Sequence, residues 1–212
     1  MKNIRLIIFD LDGTLIDAYR AIHKSLNFAM ARLGYPCQAI SVVRRAVGWG
    51  DKNLLRPFVD KKDLAAALGI YRKHHEKSLV RYSRTFSGVK KLLSFLKSKG
   101  YKLAVASNRP TKFSSLLLDH LGLNKYFDYV LCADKLKKGK PDPQILRKIM
   151  KKFSLSREQT LYVGDMAIDA QAGKRAAVKT VIVTTGSSRL SEIRKETPYA
   201  VIRKVSDLYF LL

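Results

Sequence analysis

The chain has 212 residues, 47% of them apolar, which suits one sizeable core with room for an insert and excludes a disordered tail. No apolar run approaches the ~20 residues of a membrane-spanning helix, and the apolar start is short, β-branched and leads into acids rather than a small-residue cleavage site, so a cytoplasmic protein without a signal peptide is expected. The charge of +24 is spread over pairs such as Lys61-Lys62, Lys90-Lys91, Lys137-Lys138 and Lys151-Lys152 rather than gathered into a basic arm, which excludes the usual signature of a dedicated nucleic-acid-binding tail.

Residues 2–10 read as a buried parallel strand: a short Ile-rich run closed by the turn signal Asp12-Gly13. From residue 17 to about 84 the texture turns helical. "DAYRAIHKSLNFAMARLGY" repeats apolar residues at helical spacing and stops at Gly34, with Pro36 beyond. Further helices are expected over residues 39–47, from near Asp51, and from about 61 to 81, where Ala65, Leu68 and Leu79 are among the apolar positions. This reads as a small helical bundle with no strand of its own.

After "FSGVKKLLSFLKSKG", a helix closed by Gly100, strands and helices alternate. "KLAVAS" is a strand, "TKFSSLLLDHLGL" a helix and "DYVLCA" a strand. "PQILRKIMKKFSL" is a helix, with Asp142 as its N-cap and Pro143 at its first position. "TLYVGD" is a strand, "MAIDAQAGKRAA" a helix and "KTVIVT" a strand. "AVIRKV" is a short edge strand before a final helix. The alternation predicts an α/β fold: a Rossmann-like parallel sheet with helices on both faces and an all-α bundle inserted after the first strand. The core would be residues 1–16 and 85–212, the insert residues 17–84. Such an insert can act as a lid over the sheet's carboxyl edge, where open α/β sheets bind ligands.

Four features fall at strand ends or helix starts that this topology brings to one edge: Asp10-Leu11-Asp12-Gly13-Thr14; Ser107-Asn108; Lys140 in "KKGKPDP"; and "VGDMAID", with Asp165 ending a strand and Asp169 one helical turn later. The carboxylates form a hard oxygen cage suited to Mg²⁺, which would otherwise repel itself and any phosphate. Lys140, Ser107 and Asn108, with Thr14, are the expected phosphate-binding groups. Gly13 lets the backbone turn sharply. Asp10, at the end of a rigid strand, suits a nucleophile aimed at phosphorus. Asp12 suits proton transfer to the leaving oxygen and from the attacking water, and its carbonyl could serve the metal. Phosphoryl transfer asks mainly for positioning and charge neutralisation.

"FDLDGTLID", "ASNRP", "KGKPDP" and "VGDMAIDAQAG" resemble, in order, the four motifs of the haloacid dehalogenase-like hydrolase superfamily, and most closely its phosphoglycolate phosphatase-like members. The resemblance spans essentially the whole chain. It implies a helical cap of the C1 type, an aspartyl-phosphate at Asp10, acid/base work by Asp12, and phosphate binding by Ser107 and Lys140. It also implies Mg²⁺ at Asp10, the Asp12 carbonyl and Asp165, with Asp169 in the ion's outer shell or acting through water. The presence of Asp12 argues against the dehalogenase and phosphonatase branches, and the missing His/Arg cap signature against a mutase. Met166, Gly173 and Ala177 depart from the usual residues at positions that affect packing more than chemistry.

The expected activity is Mg²⁺-dependent hydrolysis of a small phosphomonoester such as phosphoglycolate. Alternatives on the same scaffold are a pyrophosphatase and a nucleotide or sugar-phosphate phosphatase. An alternative of a different class is a nucleic-acid-associated or regulatory protein with a vestigial site. The expected partner is a small phosphorylated metabolite, with non-specific, salt-sensitive contact to nucleic acid, no membrane, and a monomer or homodimer. Arg45 and Trp49, beside "VGWG", are candidates to line the substrate loop of the cap. His23, His74, His75 and His120 fit exposed or amphipathic helix positions and receive no chemistry. Cys37 and Cys132 read as reduced, structural thiols.

Overall fold

Leu6–Phe9 forms β1, and none of its four side chains reaches solvent. A strand buried on both faces has no polar side to show, so the run LIIF does not alternate. The computed structural model describes residues 3–212, so the expected strand start at Lys2 lies outside the described residues. A short strand β2 (Ile16–Asp17) leads into α1 (Tyr19–Arg32), α2 (Ile40–Ala46), α3 (Asp51–Leu55) and α4 (Leu64–Tyr82). The chain returns through β3 (Arg84–Thr85), antiparallel to β2. Alternation follows: α5 (Val89–Ser98), β4 (Lys102–Ser107), α6 (Thr111–His120), β5 (Tyr129–Cys132) and α7 (Gln144–Phe153). Then come β6 (Thr160–Gly164), α8 (Ala167–Ala176), β7 (Lys179–Val183), α9 (Leu190–Lys195), β8 (Ala200–Ile202) and a 3₁₀ turn at Val205–Phe210. No helix among the described residues is long and apolar enough to cross a membrane.

The main sheet has six strands in the order β5-β4-β1-β6-β7-β8, every pair parallel, which is the α/β architecture expected from the alternation. Side chains sort by parity. Ile7, Phe9, Leu103, Val105, Leu161 and Val163 pack with Leu92 and Leu96 of α5 and Leu117 of α6. Leu6, Ile8, Ala104, Ala106 and Tyr162 pack on the other face with Ile145 and Ile149 of α7 and Ala172 of α8. A slip of one residue would exchange these sets, so burial on both faces pins the register. The first cluster runs on into Leu26 and Met30 of α1 and Tyr71 and Leu79 of α4, so the inserted helices share apolar contact with the sheet layer.

Several expectations need correction. The segment 17–84 is not free of strand: Asp17 and Arg84 pair across β2 and β3, with their side chains 3.1 Å apart. Two residues per strand are too few to show a period. Helix α7 begins at Gln144, one residue later than expected, although the Asp142 carboxylate does accept the Gln144 N–H at 2.9 Å. Helix α9 was not anticipated, because Ile193 is its single buried side chain and sets no periodicity. The final helix is a 3₁₀ turn. Cys132 is buried but Cys37 is exposed, so only one of the two thiols belongs to the interior.

Ala177 ends α8 in the left-handed region at φ 56°, where its Cβ is strained and a glycine would not be. Ala177→Gly is expected to stabilise the protein by about 0.5–1 kcal/mol, the relief exceeding the added freedom of the unfolded chain. A urea midpoint that stays put or falls would contradict this.

Candidate active site

Strands β4, β1 and β6 are neighbours, so their carboxyl ends deliver Ser107, Asp10 and Asp165 side by side. The Asp10 N–H donates to the Val163 carbonyl at 2.9 Å, which extends the ladder one residue and fixes where its carboxylate leaves the sheet. Lys140 enters from the segment between β5 and α7. Its Nζ lies 2.9 Å from Asp10 Oδ1, 2.8 Å from Asp169 Oδ1, 3.0 Å from the Ala106 carbonyl and 3.1 Å from the Tyr162 hydroxyl. Burial works against this ammonium, but Asp10 and Asp169 outweigh it and hold its pKa above the ordinary lysine value.

Asp10, Asp165 and Asp169 can bring one oxygen each within 4.8 Å of one another, and all three are buried. Burial, with Asp169 and Asp12 adding to it against Lys140, pushes the Asp10 pKa up to about 7. Burial, then Asp169 and Asp10, pushes Asp165 well above the usual carboxylate range. Thr14 donates to Asp165 Oδ1 at 3.1 Å, while Asp165 Oδ2 is buried with no partner. Backbone space is kept clear around this carboxylate: a Cβ on Gly13 (φ +80°) or on Gly186 would collide with it. A closed pocket of oxygens carrying more carboxylates than cations, one of them unpartnered, fits a small hard dication such as Mg²⁺.

Asp169 sits differently from the other two. Its oxygens accept from Lys140, the Tyr162 hydroxyl and the N–H groups of Asp165 and Met166, so it braces the loop after β6 and the lysine. Asp12 forms a two-pronged pair with Arg109, Nε to Oδ2 at 2.9 Å and Nη2 to Oδ1 at 2.7 Å. Arg109 Nη1 donates to His75 Nε2 at 2.9 Å. Because Arg offers only donors, His75 Nε2 must be unprotonated, and its Nδ1 proton then goes to Ser25 Oγ at 3.0 Å. Burial first, then the adjacent guanidinium, lowers the His75 pKa well below the ordinary value.

Among the expected phosphate-binding residues, Ser107 is buried and lines the cavity, its Oγ accepting the Arg109 N–H at 3.1 Å. Lys140 is bonded to Asp10. Thr14 is instead committed to Asp165. Asn108 also has its side chain committed: it accepts the Lys140 N–H at 2.8 Å and donates to the carbonyls of Lys140 and Gly48. It thereby ties the loop after α2 to the Lys140 segment. Neither Arg45 nor Trp49 lines the cavity. Arg45 reaches the Ser187 carbonyl and Glu192 of α9, and Trp49 is 46% exposed while its neighbours Gly48 and Gly50 form the wall. The histidines are assigned no chemistry, and of them His75 is buried in this wall beside Tyr71 and Phe113.

The cavity lies between the sheet edge and the inserted helices. Asp10, Asp12, Ser107 and Arg109 line its floor side, and Ile22, Leu54 and Tyr71 line it from α1, α3 and α4.

Residues 7–183 match the family model for haloacid dehalogenase-like hydrolases. The chain is 34% identical to a phosphoglycolate phosphatase of Aquifex aeolicus over 209 residues, covering 99% of this chain and 97% of that one. It is 32% identical to phosphoglycolate phosphatase 1 of Pseudomonas aeruginosa, covering 96% of this chain and 78% of that one. A crystal structure described as a predicted phosphoglycolate phosphatase from Haemophilus somnus superposes with a TM-score of 0.95 at 27% identity, covering 100% of this chain and 99% of the other.

Proposed function

The chain belongs to the haloacid dehalogenase-like hydrolase family, and from that premise we propose that it is a Mg²⁺-dependent phosphatase acting on a small phosphomonoester of the phosphoglycolate kind. The observation that carries this reading is the Lys140 ammonium bonded to Asp10 at the end of β1, beside an Asp165 carboxylate with an unpartnered buried oxygen. The names borne by the relatives agree with it.

Asp10 attacks phosphorus with the oxygen that Lys140 leaves unbonded, and the bond from phosphorus to the ester oxygen breaks. Both Asp12 oxygens accept from Arg109 in the resting site, so Asp12 first takes a proton from solvent on one of them, which frees that oxygen from the guanidinium. It gives this proton to the ester oxygen as the alcohol leaves, and an aspartyl-phosphate remains on Asp10. Asp12 then takes a proton from water as the water attacks the same phosphorus, releasing phosphate and restoring Asp10. Lys140 and Ser107 hold phosphate oxygens through both steps, while Thr14, Asn108 and Asp169 keep the carboxylates and Lys140 in place. Asp10, the Asp12 carbonyl and Asp165 would hold Mg²⁺, with Asp169 outside them, and the ion would neutralise the charge that gathers between carboxylates and phosphate. Residues 17–84 act as a cap domain that closes over the sheet edge, with Ile22, Leu54 and Tyr71 facing the cavity from its helices.

Phosphate release from phosphoglycolate should require Mg²⁺, cease on chelation and return on adding the ion back; turnover unaffected by chelation would remove the metal from the reaction. A thermal readout is independent of turnover. Mg²⁺ at a hundredfold excess over its Kd should stabilise the wild type by about 2.7 kcal/mol and leave Asp165→Asn unmoved. Without metal, at pH 8, Asp165→Asn should melt no lower than wild type. The folded-state pKa of Asp165 lies above its unfolded value, so its ionisation at high pH costs stability that the amide does not. Equal Mg²⁺ shifts in the two proteins would exclude Asp165 as a ligand.

A further inference from the structure

Arg109 has more capacity than the proposed reaction uses. Of the five N–H groups of a guanidinium, three are engaged: Nε and one on Nη2 by Asp12, and one on Nη1 by His75. One N–H on each terminal nitrogen remains. The side chain is 6% exposed, and the residue lines the cavity. Among the described residues that line the cavity, Arg109 is the only permanent cation. The rest of the wall is apolar, polar-neutral or acidic, and the Asp51 acid at its edge is already paired with Arg72 at 2.7 Å. A negatively charged tail on a substrate therefore has one partner within the cavity.

Its position suits a short tail. Asp12, as the group that protonates the ester oxygen, must touch that oxygen, and Arg109 is bonded to Asp12. In a phosphorylated 2-hydroxy acid the carboxylate carbon lies two covalent bonds from the ester oxygen, so a carboxylate there falls beside the guanidinium. The plane of that guanidinium is fixed from two sides: by Asp12, and by His75 of α4, itself stacked on Tyr71 with ring centroids 4.6 Å apart and held by Ser25. The inserted helices thus orient a cation that belongs to the sheet edge.

The geometry points to Arg109 as the recognition site for a carboxylate on the substrate, bridging that carboxylate and Asp12 so that the ester oxygen is aligned with its proton donor. Arg109 is then the residue that selects the phosphoglycolate kind of ester over small phosphate esters without a carboxylate. This inference rests on the phosphatase reading above and assigns its selectivity to one side chain. Charge-assisted, two-pronged hydrogen bonds in a desolvated pocket are the interactions whose loss discriminates most strongly between substrates.

The test compares phosphoglycolate with ethyl phosphate, which has a methyl group where phosphoglycolate has its carboxylate, using the full chain with Mg²⁺. Wild type should favour phosphoglycolate by about 100-fold in kcat/KM. Arg109→Lys keeps the charge facing Asp12 but cannot bridge two carboxylates; it should cut that preference about tenfold or more, mainly through KM for phosphoglycolate. Equal kcat/KM for the two esters in wild type overturns the inference without any variant, and so does an Arg109→Lys protein that loses the same factor on both. Hydrolysis of ethyl phosphate but not phosphoglycolate overturns it while leaving a phosphatase. Hydrolysis of neither, nor of an aryl phosphate, removes the phosphatase reading itself and this inference with it.

Discussion

Asp10→Asn is expected to lower kcat for phosphomonoester hydrolysis by at least ~10³-fold while the protein keeps its fold and melts no lower than wild type. The two halves of this expectation have separate causes. Turnover fails because the amide oxygen is a poor nucleophile and cannot form the acyl phosphate. Stability survives because Asp10 is a desolvated carboxylate whose pKa is raised to about 7, so its charge is held at some cost. The Lys140 ammonium keeps Asp169, the Ala106 carbonyl and the Tyr162 hydroxyl when Asp10 becomes neutral. Phosphate release and thermal unfolding on one preparation measure both. A folded Asp10→Asn protein with near wild-type turnover would end the assignment of Asp10 as nucleophile.

Lys140→Met should have the largest effect on stability. The substitution leaves a buried group of carboxylates without the cation that touches two of them, and breaking such a pair by removing one partner costs about 3–5 kcal/mol. For a chain of this length that is a fall in Tm of roughly 6–20 °C. The loss should depend on pH in a defined direction. Asp10 and Asp165 have folded-state pKa values above their unfolded ones, so each destabilises the fold as pH rises past the unfolded value and the group loses its proton. Without Lys140 that penalty grows. The gap between variant and wild type should therefore be small near pH 5 and widest above pH 7. A gap that narrows with rising pH would contradict this electrostatic account. Turnover should vanish in Lys140→Met at every pH, since the phosphate loses its buried cation.

The parts of the site that were legible in the sequence are those that topology alone assembles. Asp10, Ser107 and Asp165 each follow an apolar run, and three adjacent parallel strands must bring their ends together. The parts that were not legible depend on which way a side chain turns. Thr14 and Asn108 carry the polar groups a phosphate wants, yet both spend them inside the protein, on Asp165 and on the Lys140 and Gly48 backbone. Arg45, in the last turn of α2, and Trp49, in the loop after it, face α9 and solvent, whereas Gly48 and Gly50 on either side of Trp49 reach the cavity.

Three residues at the site were missed, and each had left a trace. His75 falls on the buried stripe of α4 with Ala67, Tyr71 and Leu79, so it had to find partners in the interior. Arg109 directly follows the Ser107-Asn108 pair, in a segment that must stay close to the sheet edge. Tyr162 occupies an inward position of a strand buried on both sides, where its hydroxyl needs polar company and finds Lys140 and Asp169. The helical insert was recognised by its period, but the β2–β3 pair at its base has too few residues for any period to show.

Everything proposed for turnover passes through a phosphorylated Asp10, and this can be trapped. Borohydride reduces an acyl phosphate to the alcohol, so the enzyme mixed with Mg²⁺ and phosphoglycolate, quenched in the steady state and reduced, should yield a modified peptide at Asp10. That peptide should be absent without substrate, without Mg²⁺, or in Asp10→Asn. Phosphate release at full rate with an unmodified Asp10 peptide, or with the modification on Asp12, would contradict the division of labour between the two aspartates.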